Sequence, residues 1–253
     1  MQPLTRWSTG AAALAAALAL SSCGSIGDLG VKPRNDSRTF GLKGSSLTVE
    51  SGSDLRLETA DGPDLTVDRN LTGQAAEDGN ASWKLKGNTL ELTAKCSGLV
   101  LNCGSEYTVK VPSGVAVTVV TTGADVVARG LADALTATTG TGAIRVERSS
   151  GTLRLSSGTG RIVVRDSSSA HVEVRSDNAD HTLAFRKAPS RVASRTGIGD
   201  IRLTLPRDTT RYRIDGRAQD HDTYRVGVPH TPGASNRITV ESPRGRVLVT
   251  RQN

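Results

Sequence analysis

The sequence predicts an all-β fold, and three observations carry that expectation. Short runs alternate apolar and polar residues with the period of a half-buried strand, as in Leu47-Thr48-Val49, Leu55-Arg56-Leu57 and Leu90-Glu91-Leu92. Aromatic residues make up only 3% of the chain while glycines number 27, a balance suited to many turns and short strands built on Val, Leu and Ile. A glycine-centred motif returns every 17–20 residues through the second half, and no long helical period accompanies it.

The elements begin with an export signal. Residues Met1 to Trp7 carry one positive side chain, Arg6, and Gly10 to Leu20 form an almost pure Ala/Leu run. Eleven residues of helix at about 1.5 Å each reach across only about half of a bilayer core, too short to span it and suited to the apolar region of a signal peptide over residues 1–22. The run ends in Leu20-Ser21-Ser22-Cys23, which resembles the lipobox of bacterial lipoproteins. The resemblance implies that a dedicated peptidase cuts before Cys23, whose thiol carries diacylglycerol. Such a protein would sit on the extracytoplasmic face of the cell membrane, held there by its lipid. That location argues against nucleic acid as a partner, although the chain carries a net charge of +7.

Residues 23–44 are rich in Gly, Ser, Asp and Lys without a sustained period, and read as a flexible tether from Cys23. Residues 45–253 read as one β-domain. Beyond the runs already named, Leu65-Thr66-Val67, Tyr107-Thr108-Val109-Lys110-Val111 and Val115 to Val120 follow the strand period. With Cys23 assigned to lipid, Cys96 and Cys103 remain, and an exported pair so close in sequence with no nearby histidine reads as a disulfide rather than a metal or redox site.

The second half holds the repeat. Thr139-Gly140-Thr141-Gly142-Ala143-Ile144-Arg145-Val146 returns as Ser157-Gly158-Thr159-Gly160-Arg161-Ile162-Val163-Val164 and as Thr196-Gly197-Ile198-Gly199-Asp200-Ile201-Arg202-Leu203. Asn178 stands where a glycine is expected, as a residue that tolerates positive φ. Each unit contains a strand after the glycines (Ile144/Val146, Ile162/Val164, Ile201/Leu203) and a second about nine residues on (Leu153/Leu155, Val172/Val174, Tyr212/Ile214). So short a unit cannot bury its apolar side alone, and stacking would bury a continuous aliphatic seam. A β-solenoid or β-roll-like stack is therefore expected, with a β-sandwich of hairpins as the alternative. The final strands, Arg237-Ile238-Thr239-Val240 and Arg246-Val247-Leu248-Val249, would cap the stack or leave an open edge.

The Gly-x-Gly-x-Ile-x-Val copies, the opening Ser51-Gly52-Ser53-Asp54-Leu55-Arg56-Leu57 and the lipobox together resemble a bacterial "putative adhesin" family of β-strand-repeat envelope lipoproteins, a domain of unknown function, over about residues 45–250. The resemblance implies a β-solenoid or β-roll domain and an envelope location. It brings no functional residues with it.

No nucleophile elbow, zinc-protease helix or phosphate loop occurs, and the Gly-x-Gly pairs are not followed by helices that would hold phosphate. Neither a cofactor nor a metal is expected. His181 falls near Asp177 and Asp180, and Asp220-His221-Asp222 reads as a solvated loop, with help in binding a cation as the alternative. Asp125 and Asp200 alone approach the regular carboxylates of a calcium-binding β-roll. Arg145, Arg154, Arg161, Arg165, Arg175 and Arg202, with Arg191, Arg195, Arg211 and Arg213 in similar positions, suggest a basic stripe for anionic lipid or wall polymer. The competing reading is a solvated face balanced by Glu147, Asp166 and Glu173. The leading functional expectation is a non-enzymatic, lipid-anchored binding or adhesion module. The alternatives are an accessory component of an envelope signalling system that docks a membrane protein, and, less favoured, a polysaccharide-active enzyme, which would need paired carboxylates on one face.

Overall fold

The computed structural model describes residues 31–97, 102–219 and 223–252. The signal peptide, Cys23 and the Asp220-His221-Asp222 segment lie outside the described residues. The first part of the domain comprises β1 (Arg34–Phe40), β2 (Ser46–Ser51), β3 (Asp54–Thr59), β4 (Leu65–Gly73), β5 (Ala81–Lys86), β6 (Thr89–Ala94) and β7 (Cys103–Val111). Then follow β8 (Ala116–Thr121), β9 (Val126–Arg129), β10 (Leu135–Thr139), β11 (Ile144–Glu147), β12 (Leu153–Ser157), β13 (Ile162–Ser167), β14 (His171–Asn178), β15 (His181–Phe185), β16 (Arg191–Ile198) and β17 (Ile201–Leu205). The last are β18 (Tyr212–Arg217), β19 (Tyr224–Val226), β20 (Asn236–Glu241) and β21 (Val247–Arg251).

These strands build two large mixed sheets that face each other across one core. The first sheet runs β1-β4-β7-β3-β9-β11-β13-β15-β17-β21-β19, and the second runs β18-β20-β16-β14-β12-β10-β8-β2-β6-β5. Through the middle, the chain alternates between sheets, and every lateral neighbour is parallel. Leu135 lies beside Leu153, Leu153 beside Val172, and Val172 beside Val192. The antiparallel pairs, β1 with β4, β4 with β7 and β5 with β6, gather at one end, so the central strands are not hairpins.

Parallel strands covered on both faces read as continuous apolar runs. Here each sheet is covered on one face only, so the strands keep the strict alternation visible in the sequence. In β10, Leu135 and Ala137 are fully buried while Thr136 and Thr138 face outward. The core seam is mostly Val, Leu and Ile, with Phe40, Tyr107, Phe185 and Tyr212 as its large rings.

The recurring glycines act by crowding. A Cβ on Gly142 would strike the carbonyl of Ala124, and one on Gly160 the carbonyl of Gly142, because consecutive turns stack backbone on backbone. Neither glycine has positive φ, nor does Asn178, so the expectation of positive φ at Asn178 is corrected; among the glycines of the three copies Gly199 alone has it (φ 131°). The Thr or Ser before each glycine turns inward: Gly142 N–H donates to Thr139 Oγ1 (3.0 Å) and Gly160 N–H to Ser157 Oγ (2.8 Å). Buried hydroxyls thereby satisfy turn amides that have no ladder partner.

Two boundaries differ from expectation. Strand β1 lies inside the stretch expected to be a tether. Its residues pair along β4, and Phe40 is buried, so the folded part starts by Arg34. The strands expected to end the stack do not end it. β20 pairs with both β16 and β18, and β21 with both β17 and β19, so the last strands of the chain sit one place inside each sheet. Cys96 and Cys103 form a disulfide with their Cα atoms 6.2 Å apart, tying the chain after β6 to the start of β7.

The β1/β5 end is closed by a charged plug. The Arg69 side chain points inward, lies 4.1 Å over the Trp83 ring from the opposite sheet, and donates from Nη2 (2.7 Å) and Nε (2.9 Å) to Asp36. The hydrogen bond from Arg69 holds the Asp36 carboxyl below its ordinary range. Arg69→Met keeps an apolar stem over Trp83 but removes the charge, and is expected to cost about 1 kcal/mol at neutral pH, since Asp36 remains partly solvated. Denaturant titration would check this. The deficit should shrink as the pH falls below the ordinary carboxyl value of 3.8 and Asp36 takes up its proton.

Candidate functional site

The six arginines expected to form one stripe divide between the two outer faces. Arg145 and Arg202 point outward from the first sheet in one cross-strand row, but Val163 and Thr182 stand between them, a gap of about 14 Å at the usual strand spacing. Arg165 lies one row on, beside Glu147. Arg161 sits at the corner before β13, 3.7 Å from Asp180. Arg154 and Arg175 face outward from the second sheet, where Arg154 neighbours Glu173 and Arg175 pairs with it. The division follows from the topology: each glycine turn carries the chain from one sheet to the other, so arginines nine residues apart in one unit point in opposite directions.

Charge is instead segregated along the sheets. Residues 1–133 hold 12 basic and 14 acidic side chains, whereas residues 134–253 hold 20 basic and 11 acidic, a net of +9. Strands β10 to β21 therefore carry the whole positive excess.

On the first sheet this excess surrounds Asp200. Its Oδ2 accepts from Arg202 (3.0 Å) and from Arg246 Nη2 (2.7 Å), and its Oδ1 accepts the backbone N–H of Arg246 (3.0 Å). The hydrogen bond from the Arg246 side chain is the main reason that the Asp200 carboxyl stays below its ordinary range. A cavity of about 270 Å³ opens here, lined by Asp200, Arg202, Thr223, Arg225 and Arg246. A groove of about 420 Å³ borders the second sheet, lined in part by Ser156, Arg175, Asp177, Arg195 and Glu241.

The carboxylates that approach a calcium-binding pattern serve the backbone. Asp54, Asp125 and Asp180 each accept the N–H that precedes the next strand, from Asp125 (3.0 Å), Ala143 (2.8 Å) and Asp200 (2.8 Å) in turn, and Asp200 continues the series. Among the described residues, no group of three or more His, Cys, Asp and Glu side chains could hold a metal ion.

His181 is fully buried. Its Nε2 lies 2.8 Å from Ser176 Oγ and its Nδ1 2.9 Å from Ser194 Oγ, so both ring nitrogens are occupied within the core. The signal for this is present in the sequence. His181 takes the first inward position after the turn, which Ile162 and Ile201 fill in the neighbouring strands. Burial lowers its pKa to about 4, against a smaller opposing effect of Asp180, and keeps the ring neutral at physiological pH.

No protein-family model and no curated protein matches the sequence. Three solved structures illustrate the likeness found by shape. A "putative adhesin" from Bacteroides fragilis NCTC 9343 aligns with a TM-score of 0.49 and 16% identity over 87% of this chain and 97% of its own. A "putative lipid binding protein" from Parabacteroides distasonis ATCC 8503 aligns with a TM-score of 0.46 and 11% identity over the same shares. A "putative cell adhesion protein" from Clostridium sporogenes ATCC 15579 aligns with a TM-score of 0.42 and 11% identity over 87% of this chain and 100% of its own.

Proposed function

We propose that this protein is a lipid-anchored, non-enzymatic surface protein of the bacterial envelope whose β-domain, read as a short β-solenoid, presents its outer faces to a partner. The observation that carries the reading is the sequence Leu20-Ser21-Ser22-Cys23 directly after an eleven-residue apolar run. Ten residues separate Cys23 from β1 in the sequence, and β1 lies at one end of the first sheet. The long sheets add support, because stacked strands offer a continuous surface suited to extended partners. The buried, neutral His181 is fully engaged by structural hydroxyls and offers no general base at the surface.

The test is metabolic labelling with a fatty acid, followed by fractionation. The wild-type chain should incorporate label and sediment with membranes. Cys23→Ala should take up none and leave the membrane fraction, since acyl chains supply nearly all of the anchoring free energy. A labelled Cys23→Ala protein, or an unlabelled wild type, would sink the proposal.

A further inference from the structure

The second sheet carries an arrangement that local sequence does not suggest. Arg191, Arg237 and Arg213 stand in direct cross-strand register on its outer face, and His171 continues the row on β14. Neighbours in the row are about 4.8 Å apart at the backbone. Like charges in direct register repel and destabilise a sheet unless something compensates. Asp215 compensates in part, pairing with Arg213 (3.2 Å) and Arg237 (3.0 Å). Arg191 has no ion-pair partner among the described residues. Four residues further along the same strands a second row holds Arg175, Arg195, Glu241 and Arg217, of which Arg195 pairs with Glu241 (3.2 Å). This second row borders the 420 Å³ groove.

We infer that this face of β14, β16, β20 and β18 binds a linear polyanion, a chain bearing repeated phosphate or carboxylate groups, laid across the strands along the arginine rows. The inference deepens the proposed surface-binding role by naming the partner's chemistry and its seat. Several features converge on it. The guanidinium fork matches phosphate and carboxylate oxygens in pairs. The rows run perpendicular to the strands, so one extended chain can meet successive arginines. Between the rows lie Glu173, Ala193, Thr239 and Asp215, which separate the two positive tracks. A polymer suits the face better than a bilayer does. The large apolar side chains exposed among the described residues are Val120, three strands away, and Leu248, on the other sheet, so nothing here would insert among lipids.

The experiment measures binding of the full-length protein, in uncharged detergent, to inorganic polyphosphate at a series of salt concentrations. The wild type should bind with an affinity that falls steeply as salt rises. Combining Arg191→Ser, Arg213→Ser and Arg237→Ser should weaken binding by about tenfold or more, because three charge contacts are lost together. The charge-matched combination of Arg145→Ser, Arg165→Ser and Arg202→Ser, on the first sheet, should stay within about twofold of wild type. Unchanged thermal melting would show that both variants fold. Equal losses in the two variants, or no loss in the first, would overturn the assignment. So would binding to phosphatidylglycerol vesicles that polyphosphate fails to displace. A Cys23→Ala protein that stays at the membrane would defeat the anchoring proposal and leave this binding result standing.

Discussion

Replacing Gly160 by valine is expected to destabilise the domain by about 3 kcal/mol or more, a large effect for a single substitution. The Cβ would point into the carbonyl of Gly142 on the neighbouring turn, with the carbonyl of Thr141 close by. These are backbone atoms of the stacked neighbouring turn and cannot rotate away as a side chain can. Relief requires the two turns to separate, which would pull Ser157 Oγ away from the Gly142 carbonyl it donates to. Gly233→Val makes the control, because nothing lies within 4 Å of a Cβ there. It should shift the denaturation midpoint only slightly. Similar midpoints for the two variants would mean that the stacked turns tolerate separation, and that close backbone approach is not what requires glycine at these turns.

The second large effect is a loss of stability in mild acid that traces to His181. Its pKa is about 4 in the folded protein against 6.5 for an ordinary histidine, so between these values the unfolded chain binds a proton that the folded chain refuses. Stability is complete above pH 6.5 and drains away as the pH falls toward 4. The expected loss is about 2 kcal/mol between pH 7 and pH 5, and about 3 kcal/mol by pH 4. Carboxyl groups held low by arginine, such as Asp36 and Asp200, act in a separate window. Their stabilisation is intact above the ordinary value of 3.8 and is lost only below it. Changing His181→Ile together with Ser194→Ala restores the row of Ile162 and Ile201 and leaves no orphaned hydroxyl at Ser194. That variant should show a flat stability profile from pH 7 to pH 5 in denaturant titrations. A wild-type slope that survives in the variant would place the acid-sensitive group elsewhere.

Much of this architecture is legible in the chain because it is encoded locally. Alternation such as Leu153-Arg154-Leu155 declares a half-buried strand, and the Thr-Gly-Thr-Gly and Ser-Gly-Thr-Gly copies mark stacked turns through their repeated spacing. Features that depend on which segment meets which are not legible. Strand β1 is a polar edge strand whose clearest apolar contribution is Phe40, so its sequence resembles a linker until β4 is seen beside it. The placement of β20 between β16 and β18 leaves no trace in local pattern, because an inner strand and an end strand of this sheet alternate alike. The basic row meets the same limit. Arg191 and Arg213 are visible as outward residues, but their register depends on Arg237, which belongs to a strand that arrives later in the chain. His181 is a different case. The row of Ile144, Ile162 and Ile201 marks its position as interior, and its polar character conceals it.

The inward placement of β20 and β21 also fixes an order of events as the chain folds. Strands β18 and β19 are made first, yet their sheet neighbours are the two strands made after them. Until residues 236–251 are made, β18 and β19 have no sheet neighbour, and β16 and β17 remain raw edges able to recruit another chain. Completing the two sheets at this end is thus a long-range event that awaits residues 236–251, of the kind that slows folding. A chain that lacked β20 and β21 would therefore lose the seats of two earlier strands along with them.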